Sequence, residues 1–299
     1  MKRLGPALKR RLARGGKLLR IGGAHSAFSA RMLEEAGFPA LWLSGFGVSA
    51  TQFALPDANL VTLSESVEAA HRVCASVKIP VIVDADNGFG DAHNAERAVN
   101  GYGRAGAAGV CIEDSTFPKR CSLYSSAPRK LLPIPEMCEK LTAARRAADR
   151  HGMLLIGRVE SLIADLGPRD AVARAQAYAG AGADAVLIHS RAFAPLAKIA
   201  RSKAVRRPLV VVPTLFPDTP LSEISAAGFS GVIFANQLLR AMMKAGHELL
   251  NHMLKAKTLT ELDPMLSTVD DVNRMVRVAP EWMREREDAD GNWKTKGRA

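Results

Sequence analysis

The chain has 299 residues, a length that suits a single α/β barrel and suffices to bury a large core. Its 47% hydrophobic and 24% charged residues are typical of a globular protein, and the low 5% aromatic content argues against a stacking surface for single-stranded nucleic acid. The net charge of +11 is spread along the chain apart from basic segments at 1–20 and 201–207, and no nucleic-acid-binding motif accompanies it, so an anionic small substrate is the simpler interpretation.

The first twenty residues, "MKRLGPALKRRLARGGKLLR", are basic but lack the uninterrupted apolar core of a signal peptide. They predict an ordinary first helix with a solvated basic face, and a transit-like amphipathic segment is the alternative. No apolar run reaches the length of a membrane span. The four cysteines show no C-x-x-C pair, which favours free thiols in a reducing compartment. We therefore expect a cytoplasmic protein with neither membrane nor nucleic-acid partners.

Short apolar runs alternate with longer helical patterns from the start of the chain to about residue 255. Continuous apolar runs of this kind are typical of strands buried on both faces. Eight such runs are present, namely "KLLRIGGA", "ALWLSG", "PVIVDAD", "GVCIED", "LLIGRVES", "DAVLIHS", "PLVVVPT" and "GVIFAN". The stretches between them include "NAERAVNGYGRAG" and "DAVARAQAYAGAG", which end in glycine as helices commonly do.

This repeated order of strand and helix predicts a parallel sheet covered by helices, and eight strands predict a closed (β/α)8 TIM barrel over residues 1–262. A doubly wound open sheet is the alternative, but the early "GAHSAFSA" lacks the glycine-rich phosphate fingerprint of that fold. Residues 263–299 are more polar. They predict a C-terminal helical extension, with a helix over 263–281, followed by a disordered tail of about a dozen residues.

Polar residues stand where the apolar runs end. They are Ser44, Asp84, Asp86, Glu113, Arg158, Glu160, His189 and Asn236. In a barrel these positions lie on one face, at the carboxyl ends of the strands, where barrel enzymes carry out catalysis. Residues far apart in the sequence are therefore expected to converge on one pocket.

Asp84 and Asp86 lie one residue apart at a strand end, before a glycine-rich turn, and Glu113 ends the next strand. Carboxylates clustered in this way hold hard cations, above all Mg²⁺, which uses few protein oxygens and keeps several waters. A solvated acidic loop, or caps of the following helix, is the alternative. Two acidic strand ends in succession favour the metal.

Three cationic or titratable side chains are candidates for binding an anion. Arg158 ends a strand, where its guanidinium would bind carboxylate or phosphate, unless it only pairs with Glu160. His189 would orient a substrate or transfer a proton, or else be a satisfied core residue. Lys119 would neutralise a transferring or leaving anion, or else be solvated.

Cys121 follows Lys119 and Arg120 in "FPKRCS", and these cations favour its thiolate. A general acid or base, a nucleophile and an inert side chain are all compatible with this position. The residues alone leave the three alternatives open.

Taken together, the motifs resemble the isocitrate lyase / phosphoenolpyruvate mutase superfamily over roughly residues 18–255. The likeness rests on "GAHSAFSARMLEEAGFPALWLSGFGVSA", "VDADNGFGD", "IEDSTFPK", "RVES", "AGADAVLIHS" and "VPT". The resemblance implies a Mg²⁺-dependent (β/α)8 barrel, commonly a homotetramer (a dimer of dimers) in which C-terminal helices are swapped between subunits. It implies a small α-oxo acid or phosphonate as substrate, and chemistry through an enolpyruvate-like anion.

The resemblance also implies roles for individual residues. Asp84, Asp86 and Glu113 would hold Mg²⁺, and Asp57 would lie on a mobile gating segment, "ALPDANL". The residues that would hold the pyruvyl carboxylate, or lie near it, are Trp42, Ser44, Gly45 and Phe46. Asn236 joins the substrate-binding set, Arg158 and His189 would contact the transferring group, and Lys119, Cys121 and Ser122 would lie on a catalytic loop that closes over the site.

The loop sequence "KRCSL" mixes features of several branches. Carbon–carbon lyases of the superfamily typically have K-[KR]-C-G-H, with the cysteine as acid or base, whereas phosphoenolpyruvate mutases have K-x-N-S. Phosphonopyruvate hydrolases replace that asparagine by a smaller residue such as threonine.

The remaining motifs, "EDSTFPK" and "RVES", resemble the phosphonate branch, although Ser115 stands where the mutases have lysine. A phosphoenolpyruvate mutase or phosphonopyruvate hydrolase activity is therefore favoured. The alternatives are a lyase of a 2-hydroxy or 2-methyl di- or tricarboxylate that uses Cys121 as acid or base and, more remotely, a non-catalytic anion- or RNA-binding protein.

Overall fold

The computed structural model describes residues 4–119, 121–122 and 129–277, and the backbone of 286–287 and 293–294. Eight parallel strands close into a barrel in the order β1 to β8, with each strand paired to its sequence neighbour and β8 paired to β1. The strands are β1 Leu19–Ala24, β2 Ala40–Leu43, β3 Val81–Asp84, β4 Gly109–Glu113, β5 Leu154–Val159, β6 Ala185–Ile188, β7 Leu209–Val211 and β8 Gly231–Phe234. The predicted (β/α)8 barrel is confirmed, and the open-sheet alternative is wrong.

Helices precede, connect and follow the strands, and those between strands cover the outside of the barrel. They are α1 Gly5–Ala13, α2 Ala27–Glu35, α3 Gly45–Phe53, α4 Leu63–Ser76, α5 Ala92–Ala105, α6 Ile134–His151, α7 Gly167–Gly180, α8 Phe193–Ser202, α9 Leu221–Ala226 and α10 Gln237–Met253, with a 3-10 turn at Pro213–Leu215. None of the helices in the described part of the chain combines the length and apolarity needed to cross a bilayer.

Alternation along the strands decides which side chains face the barrel interior. One buried apolar cluster takes every second residue of the strands, including Trp42, Ile82, Cys111, Ile156 and Leu187. The next inward-facing position lies two residues later, toward the carboxyl end of each strand. It is occupied by Ser44, Asp84, Glu113, Arg158 and His189. The barrel is therefore packed with apolar side chains up to its carboxyl end, where polar side chains replace them.

Helix α1 packs at the opposite end of the barrel. Its Leu8 and Leu12 are buried in the interior cluster together with residues of β1. Gly5 allows close approach, because a Cβ atom there would lie 2.7 Å from the carbonyl oxygen of Ala108, just before β4. The basic N-terminal segment therefore forms the predicted first helix, with its apolar face sealing the barrel.

The chain divides into two compact units, 1–240 and 241–299. In the second unit α10 continues to Met253, a 3-10 helix spans Leu259–Met265, and α11 spans Val269–Val276. The predicted helix over 263–281 begins later than predicted, because Thr268 caps α11 and its side chain accepts the N–H of Asp271. Residues 278–281 lie outside the described ones. Most of the tail predicted to be disordered also lies outside them, except that Trp293–Lys294 pairs antiparallel with Arg286–Glu287.

Candidate active site

The carboxyl ends of the strands surround one cavity. Most of the predicted site residues line it, namely Trp42, Ser44, Phe46, Asp57, Asp84, Glu113, Lys119, Cys121, Ser122, Arg158, His189 and Asn236. Gly45 and Asp86 instead line an adjoining hollow that shares Asp57 and Asp84 with the cavity. The expected convergence of distant residues on one pocket is confirmed.

Lys119 is the centre of one charge cluster in the site. Its side chain is only 4% exposed, and its Nζ lies 2.8 Å from Asp57 Oδ1 and in contact with Asp86 Oδ1. The alternative of a solvated lysine is therefore wrong. Burial alone lowers the pKa of Lys119, but the carboxylates of Asp86 and Asp57 reverse that effect and raise it well above its usual value. Lys119 remains a cation in this site.

Two asparagines hold the Lys119 cluster in place. Asn59 Nδ2 donates to Asp86 Oδ2 at 3.2 Å, and Asn59 Oδ1 accepts from the backbone N–H of Lys119. Asn87 Nδ2 donates to Asn59 Oδ1 at 3.2 Å and to the Thr116 carbonyl at 3.1 Å. These bonds join three segments that are distant in the sequence, so the position of Lys119 does not depend on its own segment alone.

Arg158 is the centre of the second charge cluster. Its Nε lies 2.6 Å from Glu160 Oε1 and 3.4 Å from Glu113 Oε2, and its Nη1 lies 4.0 Å from Asp84 Oδ2. The pairing with Glu160 that was an alternative to ligand binding is thus present, yet Arg158 also lines the cavity. A guanidinium has five N–H donors, so a partner on one edge leaves donors for a bound anion.

His189 shares the carboxylate of Glu160 with Arg158. Its Nδ1 lies 3.0 Å from Glu160 Oε1 and 3.0 Å from Arg158 Nη2. Nδ1 is therefore engaged by two protein groups, which fixes the ring and leaves Nε2 outside these contacts. Burial favours the neutral form of Glu160, but Arg158 and His189 outweigh burial and lower its pKa.

A buried network behind the cavity fixes the end of β5. Asp114 is fully buried, and its Oδ1 accepts the backbone N–H of Glu160 at 3.0 Å. Its Oδ2 accepts from Tyr178 OH at 2.7 Å and from Arg174 Nη1 at 3.2 Å. Arg174 also donates to the Leu132 carbonyl at 2.7 Å, so the network joins β5, α7 and the chain leading into α6.

Burial raises the pKa of two carboxyl groups in the site. The pKa of Asp86 rises to about 7, because burial and the nearby carboxylates of Asp84, Asp57 and Glu113 outweigh Lys119. The pKa of Glu113 is also raised, by burial first and then by neighbouring carboxylates, against the opposing charges of Arg158 and Lys119. More negative charge is gathered here than the two cations neutralise, as expected where a further cation binds.

The start of α3 presents backbone donors beside the acidic cluster. Ser44 caps the helix, and its Oγ accepts the N–H of Gly47 at 3.1 Å. The N–H groups of Gly45 and Phe46 stand in the first helical turn, where no intrahelical acceptor exists, and Ser44 and Phe46 line the cavity. A helix start of this kind suits an anionic group such as a carboxylate.

The donor chemistry around Gly45 suits a hard divalent cation. A Cβ atom on Gly45 would lie 3.0 Å from Asp86 Oδ1 and 3.7 Å from Asp84 Oδ2, so both carboxylates approach Gly45 closely and a side chain there would press on Asp86. Among the described residues, however, no three His, Cys, Asp or Glu side chains already converge on one ion position. The carboxylates pair with protein cations instead of converging on an ion position: Asp86 contacts Lys119, and Glu113 and Asp84 face Arg158. Ligation by Asp84, Asp86 and Glu113 stays a prediction.

The segment after β4 brings Cys121 and Ser122 to the cavity. Cys121 is 5% exposed, and its backbone carbonyl accepts from Arg129, which also lines the cavity. Arg120 and Leu123, on which part of the branch assignment rests, lie outside the described residues. Cys121 therefore lies at the cavity, a position that is compatible with an acid, a nucleophile or a space-filling side chain.

Thr214 and Ser115 were not predicted as site residues from the sequence. Thr214 lines the cavity, and its Oγ1, together with Glu160 Oε2 and Asn236 Oδ1, is buried without a hydrogen-bond partner in the described chain. Ser115 Oγ donates to Glu113 Oε1 at 2.6 Å. The strand-end rule that found Asn236 also points to Thr214, which follows β7 in "VPT".

A closed (β/α)8 barrel whose strand ends gather carboxylates, a lysine, an arginine and a histidine around one cavity is the architecture of a barrel enzyme. The family model described as phosphoenolpyruvate phosphomutase matches residues 8–254. The chain therefore belongs to the phosphoenolpyruvate mutase family.

Individual relatives agree with this assignment. Phosphonopyruvate hydrolase of Variovorax sp. (strain Pal2) is 39% identical over 260 residues, covering 86% of this chain and 89% of the relative. Phosphoenolpyruvate phosphomutase of Tetrahymena pyriformis is 34% identical over 254 residues, 84% of each chain. A crystal structure of phosphonopyruvate hydrolase with oxalate and Mg²⁺ superposes with a TM-score of 0.84 at 37% identity, over 92% of this chain and 95% of that one.

The lyase branch of the superfamily is also similar. The 2-methylisocitrate lyase of Aeropyrum pernix is 35% identical over 250 residues, covering 82% of this chain and 79% of the relative. The likeness thus establishes an enzyme of this superfamily, while mutase, hydrolase and lyase relatives lie at similar identity.

Proposed function

We propose that the protein is a Mg²⁺-dependent enzyme that cleaves the phosphorus–carbon bond of phosphonopyruvate, giving pyruvate and phosphate. The same site would give phosphoenolpyruvate if the phosphoryl group were transferred to the enol oxygen instead of to water. The observation that carries the proposal is the cavity itself, which is lined by Arg158, His189 and Lys119 together with carboxylates and the start of α3. The similarity to a hydrolase and a mutase of phosphonopyruvate chemistry supports it.

The pyruvyl half of the substrate would bind at the start of α3. The N–H groups of Gly45 and Phe46 and the hydroxyl of Ser44 suit its carboxylate, and Trp42 lies beside them at the top of the barrel core. Asp84, Asp86 and Glu113 would hold Mg²⁺, which when bound supplies positive charge to the α-oxo oxygen as negative charge develops there.

The phosphonyl half would face the cations. The group leaves through a loose transition state with charge spread over its three outer oxygens. Arg158, Lys119 and His189 would stabilise that charge, and their contacts with protein carboxylates support the proposal that they are held in place before substrate binds. The electron pair of the phosphorus–carbon bond moves into the pyruvate fragment, water supplies the oxygen that captures phosphorus, and a proton adds to the carbon.

The small side chain at position 121 favours hydrolysis over transfer. The resemblance assigns an asparagine to this position in mutases and a smaller residue in hydrolases, and cysteine is small. A small side chain provides no amide to hold the phosphoryl group away from water. This argument rests on the resemblance together with the position of Cys121 at the cavity.

One observation favours a second candidate, a carbon–carbon lyase. Cys121 is buried at the cavity, where a thiol could protonate the carbon of an enolate. Its substrate would be a 2-hydroxy or 2-methyl di- or tricarboxylate, and pyruvate or glyoxylate would be released.

Phosphorus NMR of the enzyme with Mg²⁺ and phosphonopyruvate tests the proposal. A growing phosphate signal with matching pyruvate supports the hydrolase, and a phosphoenolpyruvate signal supports the mutase. An unchanged phosphonopyruvate signal, together with release of pyruvate or glyoxylate from a panel of 2-hydroxy di- and tricarboxylates, would instead establish the lyase.

The proposal includes a homo-oligomer with swapped C-terminal helices. Within the second unit, α10 and the residues after it expose large apolar side chains, among them Met243, Leu250 and Leu254. Exposed apolar surface of this kind is typical of an interface. Light scattering after size exclusion is expected to show a tetramer, and a monomer at micromolar concentration would rule out the assembly.

A further inference from the structure

The two basic segments of the sequence, which the proposed function does not use, meet at one cleft. Helix α1 contributes Lys9 and Ala13, and the segment 201–207 contributes four further cationic side chains. The cleft also includes Asp184 and Ser230, each just before a barrel strand, so it lies at the amino ends of the strands. It is therefore at the opposite end of the barrel from the active site.

The cleft carries positive charge that no carboxylate of the described residues neutralises through an ion pair. Its four exposed cations are Arg201, Lys203, Arg206 and Arg207. None of them has an ion pair with a carboxylate in the described ranges, whereas Arg158 and Lys119 at the active site have several. Asp184, the acidic residue of the cleft, is already shared by Lys9 at 3.1 Å and Arg145 at 2.7 Å.

Cations that line one cleft add to its positive potential, which favours the binding of an anion. Their exposure weakens this potential without removing it. Surface salt bridges would reduce it most simply, and the described chain provides none for these four residues. The unmatched charge therefore indicates a ligand that brings several negative charges.

The lining of the cleft is partly apolar. Val205, Leu209 and Ala227, here called the floor, are buried, whereas the four cations, here called the rim, are exposed. The volume of about 710 Å³ lies within the ~300–1,000 Å³ that small-molecule sites commonly have. A ligand that matches both parts combines an apolar ring system with two or three phosphates.

We propose that this cleft binds a nucleoside polyphosphate of the ADP and ATP class. The phosphates lie against the cationic rim, and the base lies over the apolar floor. The site is separate from the active site, so this inference does not depend on the proposed reaction. Arg206 and Arg207, adjacent on the segment that leads into β7, are the residues expected to contribute most, because guanidinium groups bind phosphate oxygens in pairs.

Isothermal titration of ADP into the full-length protein tests the proposal. One site per chain is expected, with an affinity that falls as ionic strength rises. The double variant Arg206→Gln, Arg207→Gln should weaken ADP binding about 100-fold, since each of the two lost charged hydrogen bonds contributes roughly a factor of ten. Both side chains are exposed, so the variant is expected to fold normally.

The matched control is Arg97→Gln, Arg104→Gln, which removes the same charge from exposed positions on α5. It should change the ADP affinity less than 2-fold. An equal loss in both variants would show that only net charge matters and would overturn the site.

Further titrations distinguish this cleft from the active site and from a surface that binds RNA. ADP binding should persist when oxalate and Mg²⁺ saturate the active site, and its loss would assign the binding to that site instead. Inorganic tripolyphosphate should bind more weakly than ATP, and equal affinity would overturn the role of the apolar floor. An RNA oligomer that binds more tightly as its length increases, and that competes with ADP, would overturn the small-molecule assignment.

Discussion

The two halves of the active site are built in different ways. Asp84, Arg158 and His189 stand at or just after the ends of strands, where the barrel ladder sets their backbone positions. Lys119 and Cys121 come from the segment between β4 and α6 and are positioned by side-chain bonds such as the one from Lys119 N–H to Asn59. We call the first set the strand half and the second set the loop half. The strand half provides binding chemistry that a barrel family can share, whereas the loop half can differ from one family member to another.

Arg158→Lys should have the largest effect, because it acts on the strand half. Lysine retains the charge but loses the planar set of donors that serves Glu160 and a bound phosphoryl group together. We expect kcat/KM for phosphonopyruvate to fall by about 10³-fold, which is the upper end of the rate loss seen when one hydrogen-bond donor to a transition state is removed. Arg20→Lys, on the exposed face of β1, is the control. A variant that retains more than a tenth of the activity would show that Arg158 is structural.

Lys119→Met tests the main cation of the loop half. It keeps the length of the side chain and removes the charge that faces Asp57 and Asp86. A loss of about 10²-fold in kcat is expected, since one stabilising group for the transferring anion is removed. Lys130→Met, an exposed lysine later in the same segment, should be near wild type. Unchanged turnover in Lys119→Met would remove Lys119 from the mechanism.

Metal affinity should depend on pH through Asp86. Its carboxyl pKa is about 7 in the metal-free protein, so below pH 7 a proton competes with the metal for this group. The apparent affinity for Mg²⁺ should fall by about 10-fold per pH unit below 7 and level off above it. Calorimetric titration of Mg²⁺ between pH 5.5 and 8.5 measures this, and a flat profile would contradict the ligand role of Asp86.

Ser115→Ala should have a smaller effect. It removes the 2.6 Å hydrogen bond to Glu113 and leaves that carboxylate held by Arg158 alone among its described partners. The affinity for Mg²⁺ is expected to weaken about 3- to 10-fold, in proportion to one hydrogen bond to a charged group. Ser66→Ala, which removes a bond to Tyr102 away from the site, is the control.

Cys121→Ala should have the smallest effect. If phosphorus–carbon cleavage is the reaction, the thiol only fills space and turnover should stay within about 5-fold of wild type. A lyase that uses this thiol as its acid would lose about 10²-fold or more. Cys121→Asn introduces the asparagine that the resemblance assigns to mutases. It should divert part of the product to phosphoenolpyruvate, as measured by phosphorus NMR.

The contrast between the halves also explains what the sequence could predict. The ends of apolar runs and the two-residue period of strands place Asp84, Glu113, Arg158 and His189 on one face without any knowledge of contacts. The support for Lys119 depends on Asn59, 60 residues away in the chain, and Asn59 reaches Asp86 across 27 residues. Pairings at that separation have no local pattern, so the sequence did not reveal them.

The same limit applies to the choice of reaction. "KRCSL" combines features of two branches, and Cys121 lies at the cavity in a position that suits each of them. Whether Cys121 favours phosphoryl transfer, hydrolysis or protonation of an enolate depends on its contacts with the bound substrate. The fold and most of the residues that line the cavity could therefore be derived from the sequence, whereas the reaction requires assays with substrate.

The central claim is that Asp84, Asp86 and Glu113 hold a divalent ion against an α-oxo carboxylate. Calorimetric titration of oxalate, with Mg²⁺ and again with a chelator, tests it most directly in the wild type and in Asp84→Ala. Oxalate should bind the wild type at least 100-fold more tightly with Mg²⁺ than without, and the variant should lose that gain. Equal affinity with and without the metal, or an unchanged gain in the variant, would contradict the claim.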